Sequence, residues 1–486
     1  MSNLSDLLPA GAGGKQVDFV ASGNLSNGQT VILKSNGQVE AVGSPTASAA
    51  LGSQAFTGSI DSANTRVAFV GNNQFVLAFY NTNKFACVGT ITGTSIVFNT
   101  PTQFDSGGNV VDSAQSTATG SATIFYQNAA GVRAGIVAIV SGTGSSATIG
   151  YGTEVALSSS FGGVCQSASI GGGRILITIL VNSGSYVGTA IIVTVSGNSL
   201  TFGSSNFPFT SGYEARNHSS CALADDKALI CWRKNASDDN FIAVATVSGN
   251  SVTYGADNSF LQNYTAGNYM GLAALNATEG VVAYLDGSNN GYGTARSFTI
   301  SGGTLTFGTK NVFSSNSQTY YNSISASGSV SGSSVYVIAY RQGVAGKMIP
   351  TTVSSNSITY GSELQYTASI NALDTALAVG GKVIIVYTDR TQSYPNSSRP
   401  SGSIYQSAVE VTNLTSTNFI GISDAAISSA ASGSVTIKGG ISSNVTGLTA
   451  NSTYYVQPNG TLSTTTSTVL AGRALSSTSI NLDYTT

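Results

Sequence analysis

Alternating apolar and polar positions dominate the chain, and they recur on a fixed period. QFVLAFY, ALICW and SVYVIAY each lead into a polar loop and then a second alternating run, FACVGTI, FIAVATV or MIPTTV. Alternation with period two turns one face of a strand inward, so each pair reads as a β-hairpin. A second pattern follows: ITGTSIVF from Ile91, VSGTGSSATIGYG from Val140, VSGNSLTFG from Val195, VSGNSVTYG from Val247, ISGGTLTFG from Ile300 and VSSNSITYG from Val353. The closing aromatics are Phe98, Tyr151, Phe202, Tyr254, Phe307 and Tyr360, spaced by 53, 51, 52, 53 and 53 residues. A degenerate seventh copy, VTNLTSTNF, starts at Val411 after a longer loop. Upstream of each hairpin lies a small-residue strand such as VVDSAQ, VCQSAS, SSCAL, GLAAL or NSISAS.

Four strands per ~52 residues, seven times over, is the arithmetic of propeller blades. The expected fold is all-β, a seven-bladed β-propeller over residues 49–412, with the small-residue strands innermost where blades crowd the axis. An elongated β-solenoid is the alternative, although its coils are usually shorter and carry fewer hairpins. Blade signatures of familiar propeller enzymes are missing: Trp232 is followed by Arg233 rather than Asp, and no Asp-box repeats occur.

The flanks carry a different repeat. LSNGQTVILKSNGQVE (Leu25 to Glu40) aligns without gaps to LTANSTYYVQPNGTLS (Leu448 to Ser463). Each has Asn-Gly between alternating strands, Asn36-Gly37 and Asn459-Gly460, a strong hairpin signal because both positions tolerate positive φ. Residues 15–48 and 413–486 therefore read as two halves of one small β-domain with the propeller inserted between them, after an N-terminal tail at 1–14. Two separate hairpin modules are the alternative.

Composition narrows the class. Charged residues are 8% of the chain, against roughly a quarter in an ordinary domain. No apolar run approaches the ~18 residues of a spanning helix, so membrane insertion is not expected. A net charge of −2 gives no basic footprint for nucleic acid. Four Cys in 486 residues do not make a disulfide framework. Cys221 and Cys231 sit one residue out of step about the turn expected at Asp225-Asp226, so buried free thiols are expected. The start, Met1-Ser2-Asn3-Leu4-Ser5-Asp6, lacks the n- and h-regions of a signal peptide, so synthesis in a cytoplasm without that signal is expected.

The opening, LPAGAGGKQVDFVASGNLSNGQTVILKSNGQVEAV, resembles the N-terminal segment of tail-fibre and virion appendage proteins of tailed bacteriophages, marine phages especially. The end is similar to a C-terminal β-module of such proteins, with FIGI, GGISSNVTGLT, STYYVQPNGTLS and AGRALSSTSI in order. The resemblance is confined to the two ends. It implies a virion protein with other virion proteins as partners, and with the low charge it implies a homo-oligomer, most simply a trimer. It carries no catalytic residue to this chain.

Chemistry is sparsely provided. A Ser/His/Asp triad would have to use His218, the single His. Asp225-Asp226 and Asp238-Asp239 are adjacent pairs that suit turns better than glycosidase work. DGSNNG places Asp286, Ser288, Asn290 and Gly291 at calcium-loop positions, but Ser297 stands where a bidentate Glu is needed. Neither a metal nor another cofactor is expected. Counting back to the inner strands gives Asp61, Asp112, Gln166, Ser220, Gly271, Asn322 and Asp374, a polar ring expected near the channel mouth. The loops between second and third strands hold Lys84, Arg133, Arg233, Lys234, Arg341, Lys347, Arg390 and Arg399, against Asp238, Asp239, Asp286 and Asp389. These loops are expected to converge on one face beside Tyr186, Tyr292 and Tyr394, where Arg clamps anions and rings stack on sugars. The expected function is a non-enzymatic virion fibre or appendage whose propeller binds host-surface glycan. A depolymerase-like glycan enzyme and a bacterial surface adhesin are the alternatives.

Overall fold

The computed structural model describes residues 15–482 apart from 23, 35, 43–50, 56–64, 93–94, 108–110, 158–164, 183–185, 211–212, 262–269, 331–332, 378–381, 392–398, 407–413 and 458–459. The described chain is all-β, with two single-turn 3₁₀ segments and no α-helix. It divides into two compact units, Met1–Ala47 with Ser329–Gly332 and Ala408–Thr486, and Ser48–Gly328 with Ser333–Ser407.

In the larger unit one antiparallel plan recurs. Val111–Ala118, Ser121–Gln127, Arg133–Ser141 and Thr148–Tyr151 pair in chain order, and the short Val155–Ala156 pairs beside the last, also on the third strand. The same plan starts at Arg66–Gly71, Gln166–Ser169, Ala215–Ala224, Gly271–Asn276 and Thr319–Val330. The outer strand expected from the sequence is thus broken into two pieces. The break falls at the residue after the closing aromatic, where Gly152 donates to the Val137 carbonyl at 2.9 Å, and Gly203, Gly255, Gly308 and Gly361 repeat the bond. Asn99 makes the same bond to the Val88 carbonyl in the first sheet, but at Gly152 glycine is required sterically. A Cβ on Gly152 would lie 1.8 Å from the Asn198 carbonyl oxygen, in the turn of the next sheet.

First strands of successive sheets meet side by side. Gln115 donates to the Ser167 carbonyl at 3.1 Å, and Ser323 and Thr375 hydroxyls lie 2.9 Å apart. Asp374, on the last first strand, accepts from Val67 N–H on the first at 3.1 Å. Successive sheets also share buried apolar layers, and Ile384, Val386 and Ile404 of the last sheet pack with Phe75, Leu77 and Ile96 of the first. Sheets stacked face to face with their first strands around an axis form a β-propeller.

The closing aromatics alternate in role. Tyr151, Tyr254 and Tyr360 donate to Thr102, Phe207 and Asn311 carbonyls of the preceding sheet at 3.0, 2.6 and 2.8 Å. Phe98, Phe202 and Phe307 instead pack on Phe75, Phe125 and Phe298, with centroids 5.8, 6.3 and 5.9 Å apart.

One expected repeat is corrected. Residues 411–413 of the seventh copy lie outside the described residues, and its Phe419 opens Phe419–Ser423, in the smaller unit, rather than closing an outer strand. The last sheet, Ile370–Leu377, Lys382–Asp389 and Arg399–Gln406, takes its outer strand from the other end, as Leu51–Ala55. A strand from the opposite end covers the third strand's edge, which would otherwise present unpaired backbone.

The smaller unit has two sheets. One runs Gln16–Val20, Ser432–Ile437, Phe419–Ser423, Thr30–Leu33, Val39–Ala41, so strands from both ends of the chain interleave. The other runs Ile441–Ser442, Ile480–Leu482, Leu470–Ala474, Thr453–Val456, Leu462–Ser463. Ile32, Val42 and Phe419 pack with Tyr454, Val456 and Ile480 in a common core. The hairpin at Asn36-Gly37 needs only Gly37 in the left-handed region, at φ 81°. Asn36 instead accepts Gln38 N–H at 3.1 Å.

Candidate functional site: the channel end of the repeated sheets

Small residues on the first strands leave space along the axis. A cavity of about 700 Å³ is lined by hydroxyls and amides, among them Ser167, Ser220, Asn322 and Ser323, with Arg66, His218 and Asp374 as its titratable groups besides Cys221 and Tyr321. Ser167 and Ser220 hydroxyls have no hydrogen-bond partner among the described residues. Where the first strands begin, register shifts fall between Val111 and Ser113, Arg216 and Ser219, and Ile370 and Leu373. Such bulges insert a residue and re-aim side chains.

Of the expected ring, Gln166, Ser220, Gly271, Asn322 and Asp374 line the cavity. Asp61 lies outside the described residues. Asp112 is a correction: it falls within the Val111/Ser113 shift, is fully buried, and sits 3.1 Å from Arg133. Burial pushes its carboxyl up to about 6, against the opposing pull of Arg133 and then Arg66. Burial also raises Asp374, opposed by Arg66 and by Val67 and Thr375 N–H groups. His218 is lowered to about 4 by burial. Its Nε2 is 2.9 Å from the Thr178 carbonyl, an acceptor only, so the neutral ring carries its proton there.

The hairpins between second and third strands do cluster at the end where the first strands begin, since Val111 pairs with Tyr126 and Arg216 with Arg233. Their basic residues, however, do not form a free cationic face. Lys84 is fully buried, donating to Asp105 at 2.7 Å and to the Gly107 carbonyl. Arg133 is buried against Asp112. Arg233 faces Asp238 at 3.6 Å, and Lys347 faces Glu363 at 2.6 Å. Lys234 lies 4.8 Å from the Tyr213 ring centre, and Arg341 lies 4.9 Å from both Tyr320 and Tyr321. Arg390 is exposed. Tyr292 is half-buried opposite Asp286. Tyr186 opens Tyr186–Ser196, and Arg399 opens Arg399–Gln406. Tyr394 lies outside the described residues.

Asp286 of the calcium-like loop caps its own turn, accepting Ser288 N–H at 2.9 Å, and pairs with Lys310 at 3.2 Å. Asp226 and Asp238 take positive φ in turns. Cys221 stands opposite Leu229 and Cys231 opposite Ser219, and all four cysteines are free thiols. Among the described residues no cluster of three His, Cys, Asp or Glu side chains suits a metal, and no helix is long and apolar enough to cross a membrane.

Sequence reasoning passed over a recurring set of acids, one of which, Glu363, pairs with a hairpin cation, Lys347. In alternate repeats a carboxylate follows the closing Tyr by three residues: Glu154, Asp257 and Glu363. Tyr126 donates to Glu154 at 2.6 Å, Tyr340 donates to Glu363, and Tyr213 lies 3.4 Å from Asp257. The recurring Tyr-Gly-x-acid was the available signal. Tyr320 and Tyr321 were also passed over.

No protein-family model and no curated protein matches the chain. Among solved structures, similarity is found to a polysaccharide lyase, at 10% identity over 80% of this chain and 100% of that one, TM-score 0.46. A protein from Lactobacillus plantarum is 11% identical over 72% of this chain and 96% of that one, TM-score 0.45. The fucose-recognising lectin of Aleuria aurantia, a six-bladed β-propeller, is 12% identical over 60% of this chain and 92% of its own, TM-score 0.39.

Proposed function

We propose that this chain is a non-enzymatic glycan-binding protein of a tailed-phage virion, a fibre or appendage whose seven-bladed propeller meets host-surface saccharide at the channel end. The observation that carries the binding reading is the polar cavity at the axis. Its wall offers hydroxyls, amides and aromatic groups, the chemistry that meets sugar hydroxyls and faces. Asp374 is the one carboxylate among the described residues lining it, whereas glycoside hydrolysis ordinarily needs two flanking the bond. With His218 neutral and tied to Thr178, the wall favours holding a saccharide over cutting it. The virion setting rests on the resemblance of the two ends. Partners would be other virion proteins and identical copies, a trimer being the simplest closed arrangement.

A glycan array probed with the whole protein tests the binding reading: retention of a defined saccharide, without release of reducing ends, is expected. Release of reducing ends, lost in Asp374→Asn, would move the protein to the enzyme class. Immunogold microscopy of purified particles tests the setting, and light scattering of the purified protein tests the oligomer. A clean species of 49.2 kDa would rule the trimer out.

A further inference from the structure

We infer that Tyr320, Tyr321 and Arg341 form a subsite for a carboxylate-bearing sugar at the channel mouth, a reading that rests on the glycan-binding role above. Arg341 sits one residue from the end of Ser333–Gln342, beside the turn at Gly343 and Val344. Its guanidinium carbon is 4.9 Å from the ring centres of both tyrosines. Its Nε–H is buried and meets no acceptor, and it makes no ion pair with any described carboxylate. This sets it apart from Lys84, Arg133, Arg233 and Lys347, each of which faces an acid at the same end. Rings hold a guanidinium without accepting its in-plane N–H groups, so the terminal N–H groups, unlike the buried Nε–H, stay available to a planar two-oxygen acceptor.

Tyr321 supplies the second, independent observation. Its φ is 54°, a left-handed conformation that is a genuine outlier for a bulky residue and one that surroundings retain mainly at functional sites. Tyr321 lines the cavity, followed directly by Asn322 and Ser323, which line it too. Arg341, without a counter-ion among the described residues and outside the cavity lining itself, thus stands against a ring that does line the cavity, next to an amide and a hydroxyl. A neutral hexose would use the ring, amide and hydroxyl and leave the cation unanswered. A uronic acid uses all four, its ring against tyrosine and its carboxylate on Arg341.

The test is calorimetric titration of the full chain with glucuronate, glucose and glucose 6-phosphate, for the parent, Arg341→Gln and Tyr321→Gly. Glucuronate is expected to bind at least about tenfold more tightly than glucose, and Arg341→Gln to remove that preference. Tyr321→Gly is expected to weaken both sugars, and a circular-dichroism spectrum that matches the parent's separates lost binding from lost folding. Equal binding of glucose and glucuronate, or an Arg341→Gln protein that binds glucuronate like the parent, overturns the subsite while other retained glycans keep the wider reading. Tighter binding of glucose 6-phosphate than glucuronate overturns the carboxylate class. Failure of every saccharide on the array and in the titration overturns the glycan-binding role itself.

Discussion

Arg233 and Arg341 occupy the same place in alternate sheets, each directly after the large aromatic, Trp232 or Tyr340, that fills the interface with the preceding sheet. Beneath them the two corners match: Trp232 lies 5.3 Å from Phe209, and Tyr340 lies 4.9 Å from Phe313. Above, they diverge. The hairpin after Arg233 carries Asp238, which approaches to 3.6 Å, whereas the turn after Arg341 has only Gly343 and Val344. The first strands each carry a left-handed residue near the corner, Asn217 at φ 47° and Tyr321 at φ 54°, and differ in its side chain. A repeat can thus hold its scaffold constant while short hairpins decide whether a cation is consumed internally or left for a ligand.

The shared scaffold is where the largest effects are expected. Trp232→Ala and Tyr340→Ala each empty a fully buried site and should cost about 3–5 kcal/mol. Urea unfolding checks this. A cost at one corner much below the other would break the equivalence on which the comparison stands.

A more extreme form of the Arg233 arrangement is the buried Arg133–Asp112 pair. Arg133→Met should cost about 3–5 kcal/mol at neutral pH, because it strands a carboxylate in the interior. The pH dependence has a definite sign. Asp112 has a folded pKa of about 6, above the ~3.9 of an unfolded Asp. The folded state therefore keeps its proton while the unfolded state loses it, and stability falls as pH rises between about 4 and 6, by on the order of 3 kcal/mol. In Arg133→Met the loss should shrink at pH below that window, where Asp112 is neutral in both states. Thermal melts of parent and variant across the acid range decide it. A variant equally destabilised at low pH would mean that Arg133 acts through packing rather than charge.

The strands were legible in the sequence because alternation, tight turns and a closing aromatic are local signals that recur. The Leu51–Ala55 closure was not, since LGSQA lacks an apolar alternation and its partner lies some 350 residues away. The aromatic-Gly step was visible in the sequence, but the reason residue 152 must be glycine, the Asn198 carbonyl, belongs to the neighbouring sheet. Counting back from the turns placed Gln166, Ser220, Asn322 and Asp374 on the channel wall and failed at Asp112, where the register shifts. The basic face was misjudged because its counter-charges arrive from farther along the chain: Asp105 reaches Lys84 across 21 residues and Glu363 reaches Lys347 across 16. Tyr321 was invisible because a positive φ is decided by the fold.

The smallest expected change in stability is the one that separates the corners most cleanly. Val344 is 65% exposed in the turn beside Arg341, so Val344→Asp removes little buried surface and should shift stability by no more than about 0.5 kcal/mol. An exposed ion pair contributes at most about 1 kcal/mol, so a new contact with Arg341 would not disguise a folding defect. What it changes is occupancy. An acid three residues beyond Arg341 gives this corner what Asp238 gives Arg233, a resident carboxylate competing for the guanidinium. Charged-sugar binding should fall toward the level of Arg341→Gln, glucose binding should hold, and the unfolding midpoint should stay with the parent. If Val344→Asp binds glucuronate unchanged, the missing acid is not what distinguishes the two corners, and the difference must lie in the Tyr321 side chain, where the other corner has Asn217.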